Sequence, residues 1–298
     1  MSDRIRASRD GEYLRNQWGI TEVGCILLLT ALTVVLTGCQ LLRVTEKPLP
    51  PAKPRSEIVA SVRRDHHGFR SVVDTSISLR MAARVEGEWE KMPSLGGLIA
   101  FDRDRPGLWL RTEKMGQNVF SLRADGDSFW LEIPDTEETV SGTAQAYERL
   151  PQLIRPREAM MWFASPEWLG LTWSDTEMTV EGDMYRFDVD IPGQLIRSVY
   201  VDRRTERLSG IVEYDTLGRK VTEVIMDQHV EIDKTTFPSR LVVIRHQSGY
   251  RIEVRLRDPS FNKDIQPEAF KPRERKGWDH IDLDHEPVSR IRAFSRDN

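Results

Sequence analysis

From residue 77 onward the chain alternates apolar and polar positions with a period of two. Ile77, Leu79, Met81, Ala83 and Val85 interleave with Ser78, Arg80, Ala82 and Arg84, the pattern of a strand with one face buried and one face wet. Short strands follow at regular spacing, around 97–103, 107–114, 118–124 and 128–133, and Ala124-Asp125-Gly126-Asp127 supplies turn chemistry for a hairpin between the last two. After an interruption the rhythm resumes through 176–181, 184–191, 195–202, 207–214, 219–232, 237–247 and 250–258. Gly182-Asp183, Pro192-Gly193, Leu217-Gly218 and Ser248-Gly249 mark turns in this second run. No helix alternates regularly with the strands, which argues against a parallel α/β sheet. A long antiparallel sheet with local connections does not stay flat, so the pattern predicts a mainly β (α+β) fold curled into a barrel or half-barrel.

Three stretches leave this period. Ser56 is a candidate N-cap for a helix that places Ile58, Val59 and Val62 on one face. Residues 147–173 break the strand rhythm: Arg157 to Ala164 reads as a short helix, Pro166 interrupts it, and Met160, Met161, Trp162, Phe163, Trp168, Leu169, Leu171 and Trp173 crowd the segment. From Lys271 the chain becomes strongly charged, with Trp278 as its anchor, and 271–298 reads as a loosely attached tail.

The N-terminus has a different pattern. Arg4, Arg6, Arg9 and Arg15 precede an almost unbroken apolar run of 14 residues from Val23 to Leu36. That is shorter than the ~17–25 residues of a membrane-spanning helix, and a basic stretch followed by a short apolar core reads as a secretory signal. The run ends in Leu36-Thr37-Gly38-Cys39, which resembles the lipobox of bacterial lipoproteins. The resemblance implies cleavage before Cys39, covalent diacylglycerol on its sulfur and a fatty acyl group such as palmitate on its new amino terminus. The competing reading is a buried structural cysteine at the end of a hydrophobic helix. Gln40 stands where an aspartate would mark inner-membrane retention, so by analogy the expected location is the outer membrane, facing the periplasm. Pro48, Pro50, Pro51 and Pro54 then give Leu41 to Pro54 the composition of a semi-rigid spacer, which at ~3.1 Å per residue reaches about 40 Å. The predicted organisation is a signal peptide over 1–38, a lipidated tether over 39–55, a β domain over 56–270 and a charged tail over 271–298.

Composition narrows the function. Hydrophobic residues make up 39% of the 298 and charged residues 30%, as in a globular body. Removing 1–38 deletes four basic and four acidic residues, leaving the net charge at −4, which argues against a nucleic-acid partner. Of two cysteines, Cys25 lies in the signal and Cys39 at the lipidation site, so neither a disulfide nor a cysteine metal site is expected. The chain has no Gly-x-Ser-x-Gly elbow, phosphate-cradling glycine loop or His-Glu-x-x-His pair. His66 and His67 are adjacent and would point about 100° apart on a helix, poor geometry for chelation. Asp279-His280 and Asp284-His285 lie in the charged tail, and Asp102-Arg103-Asp104-Arg105 reads as a solvated turn. Distant acid pairs for glycosidase chemistry stay open, yet no residue is assigned a catalytic or metal-binding role, and the chain is not expected to be an enzyme.

Further motifs carry a resemblance over most of 56–270. They begin with Arg105-Pro106-Gly107-Leu108-Trp109-Leu110-Arg111, a strand after a basic-proline turn. Leu122 to Leu131 follows, with its Asp125-Gly126 turn and aromatic strand, then Pro134 and Val140. Tyr200-Val201-Asp202, Tyr214-Asp215, Pro238, Asn262, Ile265 and Phe270 complete the order. This order resembles the outer-membrane lipoprotein-sorting superfamily of the LolA/LolB-like fold. The resemblance implies an incomplete antiparallel barrel with a short-helix lid, enclosing an apolar cavity for acyl chains. It makes Met160, Met161, Phe163, Trp168 and Leu171 candidates for the cavity and lid, where methionine's flexibility suits a surface that repacks. Plain core filling is an equal reading of the same residues. The implied function is a lipid-anchored carrier or receptor, expected to be a monomer, that binds acyl chains or lipoproteins. The alternative is a structural or sensing envelope module that holds a protein partner. No cofactor is expected besides the covalent lipid.

Overall fold

The alternating pattern resolves into one continuous sheet in the computed structural model, which describes residues 48–66, 68–150, 155, 158, 161–162, 165–191, 196–232 and 235–294. They belong to one unit, Leu49–Asn298, apart from Pro48. The first run gives β1 (Ser71–Val85), β2 (Glu88–Lys91), β3 (Leu95–Asp102), β4 (Gly107–Lys114), β5 (Gln117–Asp125), β6 (Ser128–Ile133) and β7 (Glu138–Thr143). The second gives β8 (Glu177–Glu181), β9 (Met184–Val189), β10 (Ile196–Asp202), β11 (Leu208–Tyr214), β12 (Lys220–Ile232), β13 (Thr235–Arg245) and β14 (Tyr250–Arg255). Short β15 (Ser260–Phe261) and β16 (Asp279–Asp282) follow. The order across the sheet is β16-β7-β6-β5-β4-β3-β1-β14-β13-β12-β11-β10-β9-β8, with β2 and β15 paired to β1 off this path. The 15-residue β1 thus joins two meanders. The sheet is curved and open, with β16 and β8 at its edges.

Register explains why the alternation had to be kept. Ile99, Leu110, Leu122, Leu131, Val140 and Ile281 lie side by side on β3, β4, β5, β6, β7 and β16, and all six are buried. In the other half Met81, Ile252, Val243, Val224, Ile211, Val199, Phe187 and Met178 form a matching row from β1 to β8. A one-residue slip in any strand would turn its apolar set to water. Both rows face inward onto a core that includes Phe69, Phe237, Phe261 and Trp162, whose rings lie 5.4–5.8 Å apart where they touch.

Helix α1 (Arg55–Asp65) buries Ile58, Val59 and Val62 as predicted, but its N-cap is Pro54 rather than Ser56. Pro54 O accepts from the amides of Glu57 and Ile58 at 3.0 and 3.3 Å, which puts Ser56 inside the first turn. The expected spacer also ends sooner than its composition suggested. Lys53 N donates to the Tyr185 hydroxyl at 2.9 Å, Lys53 pairs with Glu206, and Arg203 donates to Pro50 O at 2.7 Å. From Pro50 the chain is therefore fastened to the sheet.

The C-terminal segment corrects the expectation of a loose tail. Strand β16 pairs in parallel with β7, and Ile281, Leu283 and Ile291 are fully buried. Arg292 donates its amide and Nε to one carboxylate oxygen of buried Glu138, at 2.9 and 3.1 Å. Most charged residues at 271–294 are partly or fully exposed around a few apolar anchors. Short helix α2 (Ala144–Tyr147) follows β7, capped by the Thr143 side chain accepting from Ala146 N.

Candidate functional site

The inner rows change chemistry at one end. One step beyond the apolar row, register aligns Tyr250, Arg245, Thr222, Glu213 and Arg197 across β14 to β10. Arg245, Thr222, Glu213 and Arg197 are each under 5% exposed, so two cations and one anion of the sheet lie out of water. Arg197 pairs with Glu213 at 3.1 Å. The carboxylate for Arg245 comes from the segment that broke the strand rhythm: Glu158 accepts from its Nε at 2.7 Å and its Nη2 at 2.6 Å. Burial opposes the Arg245 charge, but the hydrogen bonds and charge of Glu158 hold its pKa above the usual value. Such a forked pair is directional as well as strong.

The same segment covers the inner face. Glu158, Met161 and Trp162 are helical, as the predicted 157–164 helix requires. Met161, Trp162, Leu169 and Leu171 are essentially inaccessible to solvent. Trp162 Nε1 donates to Pro238 O at 3.0 Å, which satisfies the one polar atom of a buried indole. Further along, the Arg197 guanidinium lies 4.8 Å from the Trp168 ring. Thr176 donates its hydroxyl to Gly170 O at 2.7 Å. Helix α1 holds the segment from outside, with Arg55 donating to Leu171 O and Trp173 O and Arg63 paired with Glu167. The described part of the segment packs against the inner face of the sheet.

Of the five predicted cavity and lid residues, Met161 and Leu171 point into the core and Trp168 sits at the rim, 38% exposed. Met160 and Phe163 lie outside the described residues, as does Cys39. The sequence reading missed Glu158, Arg245, Arg197 and Glu213 as site residues. Parity was the available signal: Arg245 shares the inward phase of Leu241 and Val243, and Arg197 that of Val199 and Val201.

The histidines carry no chelating geometry among the described residues, where no group of three or more His, Cys, Asp or Glu is placed to hold a metal. His66 is buried at the end of α1, and burial, with the charges of Arg103 and His229, pushes its pKa down to about 4. His67 lies outside the described residues. His285 pairs with Asp282 at 2.8 Å on the surface.

No family model matches the sequence, and no curated protein does. Solved structures do. A LolA superfamily protein from Nitrosomonas europaea superposes with a TM-score of 0.50 at 12% identity, over 74% of this chain and 99% of that one. The fold is LolA-like. A DUF1329 family protein from Desulfovibrio piger is similar to the same extent, with a TM-score of 0.51 at 10% identity over 74% of this chain and 98% of that one. The LolA-like fold accounts for the open curved sheet.

Proposed function

We propose that this chain is a lipid-anchored envelope lipoprotein that takes acyl chains, free or borne by another lipoprotein, onto the concave face when its lid lifts. The observation that carries this reading is the lid itself. Among the described residues, the segment is seated on the sheet through the buried ion pair Glu158–Arg245 and the indole hydrogen bond from Trp162 to Pro238, and is tied to α1 by Arg55 and Arg63. These directional contacts give a closed lid a defined shut position.

Magnitudes support exchange between lid and ligand. Four buried apolar side chains, Met161, Trp162, Leu169 and Leu171, stabilise the closed state by roughly 1.5–3 kcal/mol each, as an upper bound. An acyl chain of about fourteen methylenes returns roughly 11 kcal/mol at ~0.8 kcal/mol per buried CH₂. The two amounts are commensurate, so a ligand of that length has the energy to hold the lid open.

The anchor is part of the same proposal: diacylglycerol and an N-acyl group on Cys39, holding the protein at the outer membrane on its periplasmic side, as a monomer. More than one chain is needed for a stable anchor, and among the described residues no helix is long and apolar enough to cross a membrane. No residue is given a catalytic role. Mass spectrometry tests both parts. The membrane-bound protein should carry acyl mass on Cys39, and a chain lacking residues 1–39, purified free of detergent, should retain or take up one acyl lipid under native conditions. An unmodified Cys39 thiol contradicts the anchor. A domain that never takes up fatty acid contradicts the carrier and favours a structural or sensing module with a filled core.

A further inference from the structure

The outer face of β4 to β7 carries two rows that the concave face leaves unused. Register places Trp109, Arg123, Trp130 and Ser141 side by side, and Ser121, Glu132, Thr139 and His280 on the next row. A strap crosses them on its way to β16. It starts at the 3-10 turn Pro267–Phe270, where the Phe270 ring lies so close over Gly107 that a Cβ there would meet it at 2.7 Å. It is tied down again by Arg275, which donates to Oε2 of Glu132 at 2.9 Å while Arg123 donates to Oε1 at 2.5 Å. Arg123 and Glu132 are both buried beneath it. Each guanidinium also lies over an indole, Arg123 over Trp109 at 5.3 Å and Arg275 over Trp278 at 5.2 Å.

Between strap and sheet is a cavity of about 400 Å³, lined by Trp130 and Trp278, by Thr139 and His280, and by strap residues 272–276. Its size is at the small end of the ~300–1,000 Å³ of ligand pockets. Its charge does not balance. Arg123 and Arg275 share the one carboxylate of Glu132. Arg273 and Lys276 also line the cavity and pair with no carboxylate among the described residues, while Glu274 is the only acid in the lining. The pKa of Arg123 is lowered chiefly by burial; the charge and hydrogen bond of Glu132 oppose this, and the nearby charges of Arg273 and Arg275 add to it. The two indoles supply flat apolar surface beside it.

We propose that this pocket binds an acidic saccharide, with the indoles of Trp130 and Trp278 packing on the C–H face of a sugar ring and Arg273 and Lys276 holding its carboxylate or phosphate. The site is on the opposite face from the lid and stands independently of the acyl-chain reading. Calorimetric titration of the purified full-length chain with glucuronate, glucose and inorganic phosphate tests it. Glucuronate should bind at least about tenfold more tightly than either glucose or phosphate. The Arg273→Gln, Lys276→Gln double variant should lose at least about tenfold in glucuronate affinity. Both side chains are exposed, so its melting temperature should not change. Phosphate binding as tightly as glucuronate would remove the saccharide, and glucose binding as tightly would remove the charge. Undiminished binding by the double variant, or no glucuronate binding at millimolar concentration, would overturn the site.

Discussion

Glu158 and Arg245 are each 3% exposed in their side chains, and two buried charges that satisfy one another set up a sharp test of the lid. Removing one partner by Glu158→Leu or Arg245→Met breaks the pair and should cost roughly 3–5 kcal/mol. Replacing both, as Glu158→Leu with Arg245→Met, should recover most of that, because apolar groups of similar size fit the same space. Urea unfolding of the three variants checks this; singles whose costs simply add in the double would show that the two charges do not act together. His66 gives a pH signature at the same scale. Its folded pKa, about 4, lies below its ordinary 6.5, so the unfolded chain binds more protons between those values and stability falls as pH drops from 6.5 to 4. The expected loss attributable to His66 is about 3 kcal/mol. His66→Gln should remove that part of the slope, and wild type and variant running parallel from pH 7 to 4 would contradict it. The inward phase of Arg245 was legible from strand parity, but its partner was not. Glu158 comes from 87 residues away in sequence, and no local pattern announces such a pair.

At the scale of elements, most strands were readable because one face is buried and the other wet: β3 to β6 and β8 to β14 match the periodic runs to within a few residues. Two of the strands that showed no run share a cause. Strand β7 reads Glu-Thr-Val-Ser-Gly-Thr and β16 reads Asp-His-Ile-Asp, each with a single large aliphatic residue, too few to show a period. They lie at one end of the sheet, β16 at the edge and β7 between it and β6, so their position depends on pairing rather than on their own propensity. The loose-tail expectation failed for this reason. Ile281 completes the buried row that runs through Val140, Leu131, Leu122, Leu110 and Ile99. Ile281→Ala should therefore cost roughly 2–5 kcal/mol, measured by denaturant unfolding. A change within about 0.5 kcal/mol, as at an ordinary surface position, would restore the tail.

At the scale of the whole molecule, the order of motifs pointed to the LolA-like fold although identity to the solved LolA superfamily protein is 12%. In this chain, alternation, turn chemistry and the break in rhythm between the two meanders are legible because those are what burying a curved sheet demands. Sequence did not decide whether the Met and Trp residues of the lid line a cavity or fill a core, since both uses require the same apolar side chains. The central claim is that the closed lid and an acyl chain compete for the concave face. A photoreactive fatty acid, cross-linked to the full-length chain and mapped by peptide mass spectrometry, tests this most directly. Saturable labelling should fall on the inner rows around Val243, Ile252 and Phe237 and on the lid near Met161 and Trp162, and unlabelled fatty acid should abolish it. Labelling that does not saturate, or that falls only on the outer face, would contradict the account.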